Sequence, residues 1–136
     1  MSLPINPPRL GSPRGYSNGM LAPPGSRLLC IAGQIAWNSH QEIVSDDFSE
    51  QFGQALANVL AVVEEAGGLP EHLLQLTIYV TSKELYVAQL KEVGATWRSL
   101  VGRHYPAMAL VEVAGLLEPR ALVEIQALAA LPSGDP

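Results

Sequence analysis

From Arg27 to Ala36 the chain reads Arg-Leu-Leu-Cys-Ile-Ala-Gly-Gln-Ile-Ala, a run too apolar to leave one side in water. A half-exposed strand alternates polar and apolar residues with a period of two. This run does not alternate, so it reads as an inner strand covered on both faces. That requirement constrains everything else. Only two segments have the spacing of amphipathic helices, and two helices can cover one face of a sheet but not both. The second face needs another cover, and further copies of the chain are the economical choice.

The first helix carries Phe48, Phe52, Leu56, Val59 and Val63 at helical spacing, with Ala55 and Leu60 widening the stripe. Asp47 and Glu50 have capping-box spacing at its start. Gly67-Gly68 closes it and Pro70 blocks continuation. The second helix opens at Thr81, again with capping-box spacing to Glu84, and its stripe is Tyr86, Leu90, Val93, Trp97 and Val101. Gly94 lies inside it at a cost of about 1 kcal/mol relative to alanine, which marks a point of close packing. Gly102 ends this helix.

Six strands frame the helices. Gly11–Leu21, with Tyr16 in the middle, is a short edge strand between turns. Arg27–Ala36 follows after the turn Pro23-Pro24-Gly25. Asn38–Gln41 closes a hairpin to a short strand at Glu42–Val44. Leu74, Leu76, Ile78 and Val80 alternate with Gln75, Thr77 and Tyr79, giving a strand with one apolar face. Met108–Val113 and Leu122–Leu131 are the last two, joined through Glu118-Pro119-Arg120. The expected organisation is an irregular N-terminal arm at residues 1–10, one α+β domain at 11–131 and a tail at 132–136.

The 136 residues suit one domain. The net charge is −5 and the eight Lys and Arg residues are scattered, so no basic stripe offers itself to phosphates and nucleic acid is disfavoured. No apolar run is long enough to span a bilayer, and no charged-then-apolar leader opens the chain. Cys30, the single cysteine, has no internal partner, and a reducing cytoplasm is the simplest location. Alternating with Leu28 and Ala32, Cys30 is expected to be a core thiol. His40, His72 and His104 occupy separate turns without ligand spacing, which argues against a metal. Trp37 and Trp97 are packing residues. Gly67-Gly68 ends a helix instead of opening one, so it is no phosphate loop. Glu112 is expected to be structural, at a subunit contact.

The ordered set Tyr16-Ser17, Gly33-Gln34-Ile35, Gln54 to Leu60, Ala66-Gly67-Gly68, Thr77 to Val80, Tyr105-Pro106-Ala107, Val111-Glu112-Val113 and Val123-Glu124-Ile125 resembles the Rid family, also called YjgF or reactive intermediate deaminases. The resemblance covers Tyr16 to Ala130. It implies a chorismate-mutase-like mixed six-stranded sheet with two helices on one face, assembled as a homotrimer with a small-molecule ligand in each intersubunit cleft. It implies hydrolysis of reactive enamines and imines to ketoacids and ammonia, without a metal or organic cofactor.

On that resemblance Glu124 is the acidic residue that positions or protonates through water. Tyr16 lines the cleft, Gly33 faces the ligand with its backbone, and Ala109 offers its backbone to the nitrogen end of the substrate. Ala32 stands where a serine is usual, and the asparagine often found in the second helix is not evident. Met108 falls where the deaminases place an arginine. An arginine grips a carboxylate through two parallel charge-assisted hydrogen bonds, and truncating one member of such a pair in a partly buried cleft costs about 2–5 kcal/mol. Methionine has no N–H to offer. Arg103 and Arg120 are the nearest replacements in sequence. Three readings therefore stand: a deaminase-type hydrolase of altered substrate, a trimer that binds a metabolite without turnover, and the endoribonuclease or translation-inhibitor activity of some relatives. The acidic charge and the lack of a basic or aromatic platform argue against the third.

Overall fold

The computed structural model describes residues 1–134; the last two residues of the expected tail, Asp135 and Pro136, lie outside the described residues. In chain order the elements are β1 (Leu3–Ile5), β2 (Gly19–Leu21), β3 (Arg27–Gln34), α1 (Phe48–Glu65), β4 (Leu73–Val80), α2 (Lys83–Ala88), α3 (Leu90–Leu100), β5 (Ala107–Glu112) and β6 (Val123–Leu131). The architecture is α+β. β3, β6, β4 and β5 form a four-stranded mixed sheet in that spatial order, and β1 and β2 form a separate antiparallel ribbon. β6 runs antiparallel to both β3 and β4, and β4 is parallel to β5. Both connections between parallel strands are therefore helical crossovers, one through α1 and one through α2 and α3.

The strands differ from expectation at three places. The arm at residues 1–10 is not wholly irregular, because Leu3–Ile5 pairs with Gly19–Leu21. Tyr16 is not in a strand: the segment around it touches the sheet through one bridge, Ser17 to Ala107. Glu42–Val44 is likewise one bridge, Trp37 to Ile43. Its hairpin is still tightly closed, since the Asn38 side chain accepts hydrogen bonds from the His40 and Glu42 N–H groups at 2.9 and 3.2 Å. The single six-stranded sheet thus resolves into four strands plus a two-stranded ribbon.

α1 follows its sequence pattern closely. Phe48, Phe52, Ala55, Leu56, Val59 and Val63 are all buried, each large side chain contributing about 1.5–3 kcal/mol of transfer free energy. Asp47 caps the helix by accepting from the Glu50 N–H at 3.1 Å. The reciprocal half of the capping box is rerouted. The Glu50 carboxylate accepts from the Ser45 hydroxyl, whose oxygen accepts from the Asp47 N–H. Gly67 and Gly68 end the helix for different reasons. Gly67 takes the left-handed φ of 86°, whereas a Cβ on buried Gly68 would sit 2.9 Å from Val63 and 3.2 Å from Leu131.

The second helix is broken. α2 is capped by Ser82 rather than Thr81, and it ends at Gln89, whose φ of −114° is outside the helical range. The break coincides with a long-range contact. The Gln89 side chain reaches the start of α1, accepting from the Ser49 N–H at 2.7 Å and donating to Asp47 at 3.1 Å. Three helices therefore stand where the sequence pattern gives two.

All three helices lie on one face of the four-stranded sheet. That face presents Ile31, Leu73, Leu76, Ile78, Val80, Val123, Ile125, Ala127 and Ala129, which join the α1 stripe, Val93 and Trp97 in one core. A register shift between Leu73 and Gln75 places Leu73 in this core and leaves Leu74 only partly buried, because one extra residue reverses the side-chain alternation. The opposite face carries Leu28, 63% exposed, with exposed Cys30, Ala32, Gln126, Ala109 and Val111. Within one chain Cys30 is therefore exposed, and β3 is covered on one face only. No helix among the described residues is long and apolar enough to cross a membrane.

Candidate active site

Gly33 and Glu124 meet at an irregularity that the fold holds firmly. β3 pairs regularly with β6 to Ile31 and then shifts register before Gln34, so Ala32 and Gly33 share the space opposite one β6 residue. Bulges of this kind re-aim backbone and side chains. A Cβ on Gly33 would collide with the Glu124 carboxylate group, so only glycine lets this side chain lie over the strand. The end of β3 is pinned from α1: Asn58 donates to the Ile35 and Trp37 carbonyls at 2.9 and 3.0 Å, and itself accepts from Gln54 at 2.9 Å.

Glu124 is positioned from a second side by a residue that sequence reasoning passed over. Gln51 is fully buried on α1. It donates to the Ser45 and Arg120 carbonyls at 2.8 and 3.0 Å and accepts from the Leu122 N–H at 2.8 Å. These bonds fix the chain as it enters β6, two residues before Glu124. A glutamine inside an apolar helical stripe was the available signal, because a buried amide must find partners. Glu124 is partly buried and stands opposite Tyr79, whose hydroxyl donates to Gln126 at 3.0 Å.

Met108 belongs to the other face. It pairs directly with Leu76, and directly opposed residues project to the same side. Leu76 is core, so Met108 points toward the helices. Ala109 pairs with Thr77 and is exposed on the open face. Glu124, Gly33 and Ala109 thus share the open face, and Met108 lies across the sheet from them.

Around Met108 is a cavity of about 470 Å3, lined also by Arg14, Gly15, Phe52, Ile78, Tyr86, Leu90, Val93, Gly94, Trp97, Arg98 and Tyr105. Its aromatic wall is ordered: Trp97 stacks on Tyr105 with centroids 6.4 Å apart, and the Trp97 indole donates to the His104 carbonyl at 3.0 Å. Burial raises the pKa of Tyr86 above the usual phenol value, so its hydroxyl remains protonated and able to donate. Its ring meets Phe48 edge-on at 6.3 Å. The chain N-terminal to β2 closes one side of the cavity. Ser17 donates from its N–H to the Pro106 carbonyl at 3.1 Å and from its hydroxyl to the Tyr105 carbonyl at 2.6 Å. That clasp lays Arg14 and Gly15 beside Tyr105 and leaves Tyr16, next to the clasp, 41% exposed.

The cations singled out from sequence are elsewhere. Arg120 pairs with Asp46 at 2.8 Å near the start of α1, and Arg103 is exposed after α3; neither lines the cavity. Arg14 and Arg98 do, and the spacing of Gly94 and Arg98, one helical turn apart, was the signal for the second. Glu112 is exposed and accepts from the Lys83 N–H at 2.9 Å at the start of α2, a role within the chain that suits a carboxylate at a helix N-terminus. The histidines do not converge. His104 bonds to the Leu73 carbonyl at 2.7 Å and His72 accepts from the Leu69 N–H at 2.9 Å. Among the described residues no cluster of His, Cys, Asp and Glu could hold a metal ion.

Residues 9–131 match the family model described as endoribonuclease L-PSP. A RutC family protein of Pyrococcus horikoshii is 34% identical over 115 residues, 84% of this chain and 85% of the relative. The 2-iminobutanoate/2-iminopropanoate deaminase of Salmonella typhimurium is 32% identical over 106 residues, 75% of this chain and 78% of the relative. Among solved structures, the Rid family protein YyfB of Yersinia pestis superposes with a TM-score of 0.81 at 33% identity, over 96% of this chain and 98% of its own. The TdcF protein of E. coli, solved with bound serine, gives a TM-score of 0.66 at 25% identity, over 90% and 92% of the two chains. With nearly its whole length matched in sequence and in fold, the chain belongs to the endoribonuclease L-PSP family, the family of the Rid and YjgF proteins.

Proposed function

We propose that the protein is a Rid-type hydrolase that converts reactive 2-imino or enamine acids to ketoacids and ammonia in clefts between three copies of the chain. Glu124 positions the water and moves its proton. Water adds to the imine carbon, the C–N bond breaks, and the nitrogen leaves as ammonia while the carbon becomes a ketone. A carboxylate suits this sequence because it can take a proton from the attacking water and return it to the departing nitrogen. The observation that carries the reading is the close approach of Glu124 to the bare backbone of Gly33, on a face without helices.

An intersubunit cleft is favoured because one chain holds two partial sites. The Met108 cavity faces the helices and Glu124 faces away from them, so a ligand seated in the cavity needs the acidic face of a neighbour to reach both. The open face, where Leu28, Cys30, Ala32, Ala109 and Val111 are exposed, gives such a neighbour an apolar patch to cover. Cytoplasmic location is part of the same reading, since the intermediates arise where amino acids are metabolised.

The test is turnover of freshly generated 2-iminobutyrate and 2-aminoacrylate. Glu124→Gln should lower the rate about 100-fold or more with little change in Tm. An active Glu124→Gln variant would remove the assigned role. A second reading, metabolite binding without turnover, draws on the methionine at position 108; a ligand that raises Tm without being consumed would establish it. The net charge of −5 gives little support to RNA cleavage.

A further inference from the structure

The cavity beside Met108 carries a charge pattern that its sequence neighbours did not announce. At about 470 Å3 it is of small-molecule size. Its walls are largely apolar and aromatic, no acidic side chain lines it, and two arginines do. Among the described residues the one ion pair joins Arg120 to Asp46, so Arg14 and Arg98 have no acidic partner there. Both arginines are exposed in the single chain, and two guanidinium groups without an acidic partner beside apolar walls give this side of the cavity a positive potential toward an anion.

Arg98 is held over the cavity by the helix itself. Side chains on a helix lean toward its N-terminus, so Arg98 lies over the residue one turn earlier. That residue is Gly94, and a Cβ there would already stand 3.4 Å from Arg98 Nη1. A side chain larger than a methyl group would move the guanidinium away. The glycine inside α3 thereby has a physical use, and Met108 on the neighbouring wall leaves the charge of the cavity to the arginines.

We propose that Arg98, assisted by Arg14, anchors the carboxylate of a 2-oxo or 2-imino acid, and that the aromatic wall around Trp97 and Tyr86 selects acids with a large apolar or aromatic side chain. The substrate class rests on the hydrolase reading above; the anchor is a matter of binding alone. Arg98 is a specificity residue here, supplied by α3 instead of by β5.

Calorimetric titration of the full chain with phenylpyruvate, 2-oxobutyrate and phenylacetone, which lacks the carboxylate, tests the proposal. Phenylpyruvate should bind about tenfold or more tightly than either of the others. Arg98→Gln should weaken it about tenfold, the loss of one charged hydrogen-bonding partner, and Arg98→Lys should recover part of that. Gly94→Leu should weaken binding similarly while leaving Tm unchanged or higher, because leucine is the better helix former. Undetectable binding of phenylpyruvate, equal binding of phenylacetone, or an Arg98→Gln variant that binds as the parent does would each overturn the anchor. If that variant binds normally while Glu124→Gln stops imine turnover, the anchor fails and the reaction stands. If binding depends on Arg98 in a protein that hydrolyses no imine, the reaction fails and the anchor stands.

Discussion

The two faces of the four-stranded sheet are built to different rules. Away from the Met108 cavity the helix face is closely packed: Leu73, Leu76, Val80, Val123 and Ile125 are fully buried against α1 residues such as Leu56, and the buried amide of Gln51 has its partners. The open face has the same backbone and register, yet it shows Leu28, Cys30 and Val111 to solvent and carries Glu124 among them. One face explains why a single chain folds. The other leaves the contact between Glu124 and Gly33 on a surface that no element of the chain covers, which is why the proposed cleft needs a neighbour. The difference teaches that the core and the proposed chemistry lie on opposite sides of one strand, β6, whose odd-numbered residues are buried and whose Glu124 emerges on the other face.

The sharpest way to break this contrast is to substitute one leucine on each side of the sheet, Leu56 of α1 in the core and Leu28 of β3 on the open face. Leu56→Ala should cost about 2–5 kcal/mol in urea unfolding, with a loss independent of protein concentration. Leu28→Lys should leave the circular dichroism spectrum of the folded chain intact but lower the mass seen by light scattering, with an apparent stability that depends on concentration. A Leu28→Lys protein unchanged in mass and stability would show that the open face is simply a surface.

Next in size is Gln51→Leu. It leaves the Leu122 N–H and the Ser45 and Arg120 carbonyls without partners, at about 1–3 kcal/mol. Because those bonds set the entry to β6, imine turnover should fall along with Tm. Gly33→Ala sharpens the comparison from the other side. The added methyl group displaces the Glu124 carboxylate, so turnover should drop sharply while Tm changes little; retained activity would mean that this contact is only packing.

The smallest effect is expected at Asp47. The Ser49 hydroxyl foremost, then the Gln89 amide and the Glu50 N–H, hold its carboxylate below the usual range. A pKa depressed in the folded state means that the unfolded chain takes up protons first. The stabilisation is therefore complete at neutral pH and is lost as pH falls below the ordinary carboxylate range. The Tm difference between the parent and Asp47→Ala should be modest at pH 7 and vanish in acid. A difference that persists in acid would move the cap elsewhere.

Much of the architecture was legible because periodicity reports burial directly. The stripe from Phe48 to Val63 and the alternation from Leu76 to Val80 fell where their spacing put them, whereas the apolar run of β3 is a strand whose second face, with Leu28 and Cys30, is exposed within one chain. The break at Gln89 was not legible, since it depends on a side chain reaching Asp47 and Ser49 forty residues away in sequence. Nor were the bulges at Leu74 and Gly33, which reverse alternation by inserting one residue and leave no mark in composition.

By itself, the sequence determined the α+β class, the helix-covered core and the family to which the chain belongs, because these rest on local spacing and on motifs read in order. Only the tertiary structure decided which residues share a site. It separated Met108 from Glu124 by a sheet, sent Arg120 to Asp46, and brought Arg14 and Arg98 to one cavity. The reason is geometric: the face on which a side chain emerges follows from register across strands, and register is set by neighbours that are distant in the chain.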